Sequence, residues 1–298
     1  MISTYLTVVT GKSITTAKHM SDITLINDSE QSSLVTNGLA KNGELYLKKA
    51  GSTDAGAIVV YDSGSWRTFA NEASSVYSNT YSVNFDGTND KVSIPYDASL
   101  DITGALSITA WVKFDSIGSF PMIYAKGKYS DDLAGYQFYV FSPGGQAQLV
   151  FYDGGSGGAP SYGSTSLSTG VWYHVAVTRS ASRGITLYLN GSPDGTDTRT
   201  GSPSTGTLDI NIGSDYGGNY LDGLIDEVAV FNSVLSASDI SSIYNSGTPN
   251  DISSLSPVGY WRMGDNDGGT GTTITDQGSG GNDGTLTNGP TFSTDVPS

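Results

Sequence analysis

Hydrophobic positions in this chain recur mostly with a period of two, in short runs broken by Gly, Asp, Ser and Asn. From Tyr81 to Phe231 the pattern predicts strands near residues 81–85, 91–94, 106–114, 122–126, 137–141, 148–152, 171–178, 185–189, 208–212 and 224–231. Many short strands with almost no helix argue for an all-β fold, a two-sheet antiparallel sandwich. In the run WYHVAVT, Trp172, His174 and Ala176 fall on one face and Tyr173, Val175 and Val177 on the other. That strand is predicted to be central and covered on both sides, with His174 a core residue. Asn190-Gly191 marks a tight turn after the strand that precedes it.

The helical period shows clearly in one place, Tyr220 to Gly247. A strand containing Leu224, Ile225, Val228 and Val230 is followed by Ser236, an N-cap residue, with Asp239 three positions on, where a carboxylate meets free amides. Ile240, Ile243 and Tyr244 form one apolar stripe, and Gly247 stands where a left-handed C-cap is wanted. Asp226 and Glu227 lie between apolar residues of the strand, so at least one carboxylate needs a partner near the core. Asp226 is the expected inward one; Glu227 is expected to point the other way into solvent.

Residues 1–75 form a separate N-terminal region, whose boundary lies within the linker-like Asn71–Asn79. Asn42-Gly43 ahead of Leu45–Leu47 predicts one hairpin, and Asp62–Ser65 between Ala57–Tyr61 and Trp66–Phe69 predicts a second. Two small hairpins bury little alone, so docking or oligomerisation is the expected role. Residues 76–298 are expected to form the sandwich. Its last part, 251–298, either starts a truncated second sandwich or folds back to complete the first. A lone stub would strand Tyr260, Trp261 and Leu286, which favours completion.

Composition narrows the partners. The 29 acidic residues against 14 basic give a formal net charge of -15, and only four acids are Glu: Glu30, Glu44, Glu72 and Glu227. A field of this sign repels nucleic acid and anionic membrane, so neither is an expected partner. Cysteine is absent, which excludes disulfides and thiolate metal sites. The opening residues lack a basic start and a long apolar run, so synthesis and folding in the cytoplasm is the expectation.

Several phrases in order, YSVNFDGTNDKVSIP, LSITAWVKF, VWYHVAVTRSASRGITLYLNG and LDINIGSDYGGNYLDGLIDEVAVF with its helix to Gly247, resemble the laminin-G-like, concanavalin-A-like jelly-roll domains over residues 78–247. The resemblance implies a jelly roll of two curved sheets and no single activity. The tail from Val258 to Phe292 looks like the segment that ordinarily precedes the FDG strand, here moved to the end as a permuted completion. More weakly, residues 44–75 resemble the amino-terminal segments of structural proteins of marine tailed phages. This second resemblance implies a virion protein: a head decoration, fibre or tail subunit, assembled in the host cytoplasm. Its partners would be other virion proteins and itself, as a homo-oligomer such as a trimer.

Three chemistries follow. The first resemblance implies a structural calcium, held by an acid and a carbonyl at turns; carried over, its residues are Asp86, Gly87 and Asp226. Glycan recognition fits loops that join tyrosine to Asp, Asn and Gly: Tyr129–Asp132, Tyr152 and Asp153, and Asp215, Tyr216 and Asn219. Catalysis is not expected, because glycoside hydrolysis needs paired carboxyl groups and Glu227 has no second Glu within reach in sequence. A virion structural protein carrying a lectin-like jelly roll is therefore the leading expectation. The alternative is a secreted or cell-surface carbohydrate-binding or adhesion module of a bacterium.

Overall fold

The computed structural model describes residues 77–127, 135–142, 146–154, 159–198 and 206–298 in full, and the backbone of six strands before residue 77. The chain divides into two compact units, Met1–Tyr77 and Ser78–Ser298.

In the first unit, β1 (Tyr5–Thr7) pairs antiparallel with β2 (Ala17–His19). The strands β3 (Thr24–Ile26), β4 (Leu45–Lys48), β5 (Ile58–Asp62) and β6 (Ser65–Ala70) form a four-stranded sheet in chain order. The β5–β6 hairpin closes with Asp62 opposite Ser65. Strand β4 runs parallel to β3, Leu25 facing Leu47, and the Asn42-Gly43 turn expected before Leu45 lies outside the described residues. The chain from Ile26 to Leu45 is long enough for the crossover a parallel pair demands, which a two-residue turn cannot supply.

The second unit contains β7 (Ser82–Asp86), β8 (Lys91–Ile94), β9 (Leu106–Ser116), β10 (Met122–Lys126), β11 (Tyr136–Phe141), β12 (Gln148–Tyr152), β13 (Ser161–Tyr162), β14 (Trp172–Arg179), β15 (Ile185–Leu189), β16 (Ser192–Asp197), β17 (Ile210–Ile212) and β18 (Asp222–Phe231). After α1 (Ala237–Tyr244) come β19 (Gly259–Trp261), β20 (Thr273–Ile274), β21 (Gly284–Thr287) and β22 (Thr291–Ser293). One sheet has the order β13-β12-β11-β10-β17-β8-β21-β20. The other runs β16-β15-β14-β9-β18-β7-β22, with β19 also on β18. Between them lies one apolar core, built from inward residues such as Val83, Phe85, Ile108, Phe138, Phe151, Val175, Ile225 and Trp261.

The tail supplies edges to both sheets. Leu286 faces Val92 through the β21–β8 pairing, Phe292 faces Val83 through β22–β7, and Tyr260 faces Ala229 through β19–β18. Trp261 is wholly buried, and its indole N–H donates to the carbonyl of Asn282 at 2.9 Å.

Helix α1 forms where its caps and stripe direct it. Ser236 Oγ accepts from the Asp239 amide at 3.1 Å while Asp239 Oδ2 accepts from the Ser236 amide at 2.9 Å, a reciprocal box. The left-handed C-cap falls on Asn245, at φ 44° and ψ 46°, ahead of Gly247. Ile240 and Ile243 pack with Ala176, Tyr188, Ala229 and Phe231, which covers the outer face of the second sheet. Tyr244 stacks on Trp111 with ring centroids 5.8 Å apart. His174, 5.3 Å from Trp111, is fully buried with neither ring nitrogen hydrogen-bonded, and burial lowers its pKa to about 3.

Candidate functional site

The first sheet has a different outer face. Register sets Met122 opposite Tyr139, Tyr139 opposite Val150, and Val150 opposite Tyr162, so one row of large side chains crosses four strands. Two residues along β11 on either side of Tyr139, alternation places Gln137 and Phe141 on the same face. The partners Tyr124, Phe138, Val140, Leu149 and Phe151 point inward to the core. Phe120 extends the row: its ring lies 5.2 Å from that of Phe141 and 6.2 Å from that of Tyr139. Phe141 in turn is 6.2 Å from Tyr162.

Above this row is a cavity of about 390 Å³, lined by the aromatic set with Met122, Gln137 and Pro160, and on one side by Asp215, Gly217 and Asn219. Its size falls in the range of small-ligand clefts, about 300–1,000 Å³. The side wall is a tight loop after β17. Asp215 Oδ1 accepts from the amides of Gly217 at 2.7 Å and Asn219 at 3.0 Å, and Oδ2 accepts from Asn219 Nδ2 at 2.8 Å. The loop begins at Gly213, φ 83°, where a Cβ would stand 2.4 Å from the Phe85 ring. No larger residue fits that turn without moving a core aromatic.

Of the glycan-binding residues expected from sequence, the structure brings Asp215 and Asn219 to the cavity wall. Tyr152 lies beside the row, packed on Met122, Tyr139 and Val150. Asp153 is elsewhere: fully buried, it holds Arg183 through Nε at 2.8 Å and Nη2 at 2.8 Å. Alternation is the reason, since the residue after outward Tyr152 turns inward as Phe151 does. Tyr216 is also off the cavity, its hydroxyl donating to the Asp209 carbonyl at 3.0 Å. The loop containing Tyr129, Ser130, Asp131 and Asp132 lies outside the described residues. Phe120, Met122, Gln137, Tyr139, Phe141, Pro160, Tyr162 and Gly217 were not foreseen. The run YQFYVF, bulky on both faces of one strand, carried that signal.

The expected calcium set does not fit. Register pairs Asp86 with Asp222, and a Cβ on Gly87 would stand 2.8 Å from Asp222 Cβ. Asp226 is four positions further along β18, roughly 13 Å at ~3.3 Å per residue. Both of its oxygens are occupied, Oδ2 by Asn79 Nδ2 at 2.9 Å and Oδ1 by the Glu227 amide at 2.8 Å. Among the described residues no three His, Cys, Asp or Glu side chains converge as metal ligands.

Glu227 is buried, contrary to its expected exposure. The β18–β9 register slips between Asp226 and Ala229, and Glu227 takes the extra position at φ 48°. This bulge turns its carboxylate under the tail, where Tyr260 Oη donates to Oε2 and Arg262 Nε donates to Oε1 at 3.0 Å. Arg262 also holds Asp265 at 2.9 Å. Burial, then the Glu227 charge, raise the Asp226 pKa well above the ordinary carboxylate value.

Two antiparallel sheets packed on one apolar core, with a helix over one outer face and a cavity over the other, make up a jelly roll. Residues 86–241 match the laminin-G model of the Concanavalin A-like lectin/glucanases superfamily, and the chain belongs to that family. No curated protein matches it. Among solved structures, a Bacteroides ovatus protein assigned to carbohydrate binding superposes with a TM-score of 0.56 at 20% identity, over 86% of this chain and 71% of that one. A pentraxin of Limulus polyphemus gives 0.44 at 19% over 56% and 82% of the two chains. A sialyllactose-bound module of a Ruminococcus gnavus sialidase gives 0.44 at 13% over 56% and 100%. At these identities the likeness is one of fold.

Proposed function

We propose that this protein is a non-enzymatic carbohydrate-binding module that seats a glycan on the outer face of its first sheet. The observation that carries the reading is the row Met122–Tyr139–Val150–Tyr162 with Phe120 and Phe141, under a cavity of about 390 Å³ edged by Asn219. Aromatic side chains with polar neighbours suit a ligand that is apolar on its C–H face and hydroxylated at its rim. The carbohydrate assignment of the Bacteroides neighbour agrees with it. Hydrolysis is not part of the proposal. Its two carboxyl groups must flank a scissile bond, whereas Asp226 and Glu227 are buried and Asp215 is the one carboxylate on the described cavity wall.

Affinity electrophoresis of the full chain in polysaccharide gels tests the reading. Retardation by at least one glycan, lost in Tyr139→Ala and Tyr162→Ala without release of reducing ends, is the expected result. Placement on a phage particle is a finer proposal resting on residues 44–75 alone, and none of the comparisons supports it. Mass spectrometry of purified virions decides that placement.

A further inference from the structure

We infer that the cavity selects uncharged glycans and rejects uronic, sialic and sulfated ones; this rests on the carbohydrate-binding reading above. The charges decide it. None of the described lining residues is Lys, Arg or His, and the one formal charge there is the Asp215 carboxylate. Five described cations of the sandwich are engaged elsewhere: Lys113 with Asp295, Lys126 with Asp101, Arg183 with Asp153, Arg262 with Glu227 and Asp265, and Arg179 with the Ile102 carbonyl. An anionic sugar would give up its hydration shell beside a carboxylate with no counter-charge, within a chain of formal net charge -15.

The floor of the cavity points the same way. Gln137 is fully buried, and its Nε2 donates to the Gly127 carbonyl at 3.1 Å, which fixes the amide orientation. Its Oε1 has no partner. Gln137 is one of the lining residues, and its unpaired acceptor is better met by a hydroxyl proton than by a carboxylate or sulfate, which bring only acceptors. The rim is apolar where it is most exposed: Phe120 is 38% and Tyr162 47% accessible. Stacking on such rings needs a sugar face rich in C–H and free of charge.

The test is a titration of the full chain against two sets of oligosaccharides at low and moderate salt. One set is neutral: gluco-, xylo-, manno- and galacto-oligosaccharides. The other is acidic: oligogalacturonate, alginate oligomers, sialyllactose and sulfated galactans. Binding to a neutral glycan at least ten-fold tighter than to any acidic one, and insensitive to salt, is expected. Gln137→Leu, which keeps the volume but removes the acceptor, should weaken that binding several-fold, whereas Val171→Ser, at an exposed site off the cavity, should not. Equal or tighter binding of acidic glycans overturns the inference but leaves the carbohydrate-binding reading standing. Binding to neither set, with a concentration-dependent dimer lost in Tyr162→Ala, overturns both and makes the aromatic row a self-association surface.

Discussion

The two outer faces of the sandwich both carry apolar residues, to different ends. On the second sheet, Trp111, Ala176, Ala229 and Phe231 are sealed by α1 and the tail, and the polar groups caught beneath them are His174, Asp226 and Glu227. On the first sheet, Met122, Tyr139, Phe141 and Tyr162 line a cavity, and among the described residues no helix covers them. A bulky outward position therefore does not announce a site; the presence or absence of a cover decides whether it serves stability or binding. On the first sheet the exposed apolar surface is confined to Phe120 and Tyr162 at the rim, whereas Met122, Tyr139 and Val150 are buried.

Substitutions should separate the faces. Trp111→Ala removes the platform on which Tyr244 stacks, and its loss should cost about 3–5 kcal/mol of unfolding free energy in urea titration. Arg262→Ala leaves the Glu227 and Asp265 carboxylates without their cation beneath the tail. A loss of about 3 kcal/mol is expected, and Arg262→Lys should recover only part of it. On the open face the balance reverses: Tyr162→Ala should change stability by no more than about 0.5 kcal/mol. Glycan affinity should meanwhile fall at least ten-fold, about 1.4 kcal/mol. Equal stability losses on the two faces would erase the distinction.

Two subtler effects belong to the covered face and have opposite signs in pH. His174 titrates near 6.5 when unfolded but at about 3 when buried, so the folded state refuses a proton that the unfolded chain accepts. Stability should fall as pH drops below 6.5, and His174→Phe, which removes no hydrogen bond of the ring, should flatten that acid arm. Asp226 has its pKa raised by burial and by Glu227, so its contribution is present at low pH and lost as pH rises above 3.8. The stability of Asp226→Asn relative to the parent should therefore increase from pH 4 to pH 8, measured as the urea midpoint. A difference that does not vary with pH would show that folding does not raise the Asp226 pKa.

Much of the covered face was legible in the sequence. WYHVAVT sorts correctly into two faces, His174 is a core histidine, and Ser236 with Asp239 marks the start of α1, because each of these is a local pattern. The open site was half legible. Asp215 and Asn219 share one short loop and could be named, but the Met122–Tyr139–Val150–Tyr162 row exists only once four strands have found their register. Register also undid the pairing of Asp226 with Asp86, since Asp222 takes that place. Glu227 misled for another reason: its left-handed bulge breaks the alternation on which its predicted exposure depended.

The seam between β7 and β22 has a consequence in time. The sandwich's first strand is completed on its outer edge by residues near its end, Asn84 meeting Thr291 and Ser82 meeting Ser293. A ribosome adding ~5–20 residues per second takes on the order of 10–40 s to span the interval. Throughout it, β7 has emerged while that edge stays unpaired, and so does the edge of β8 that awaits β21. Such non-local closure folds slowly and leaves strand edges open to other nascent chains. Chaperone dependence during synthesis, relieved in a permuted chain that places the tail before residue 78, is the signature this seam should leave.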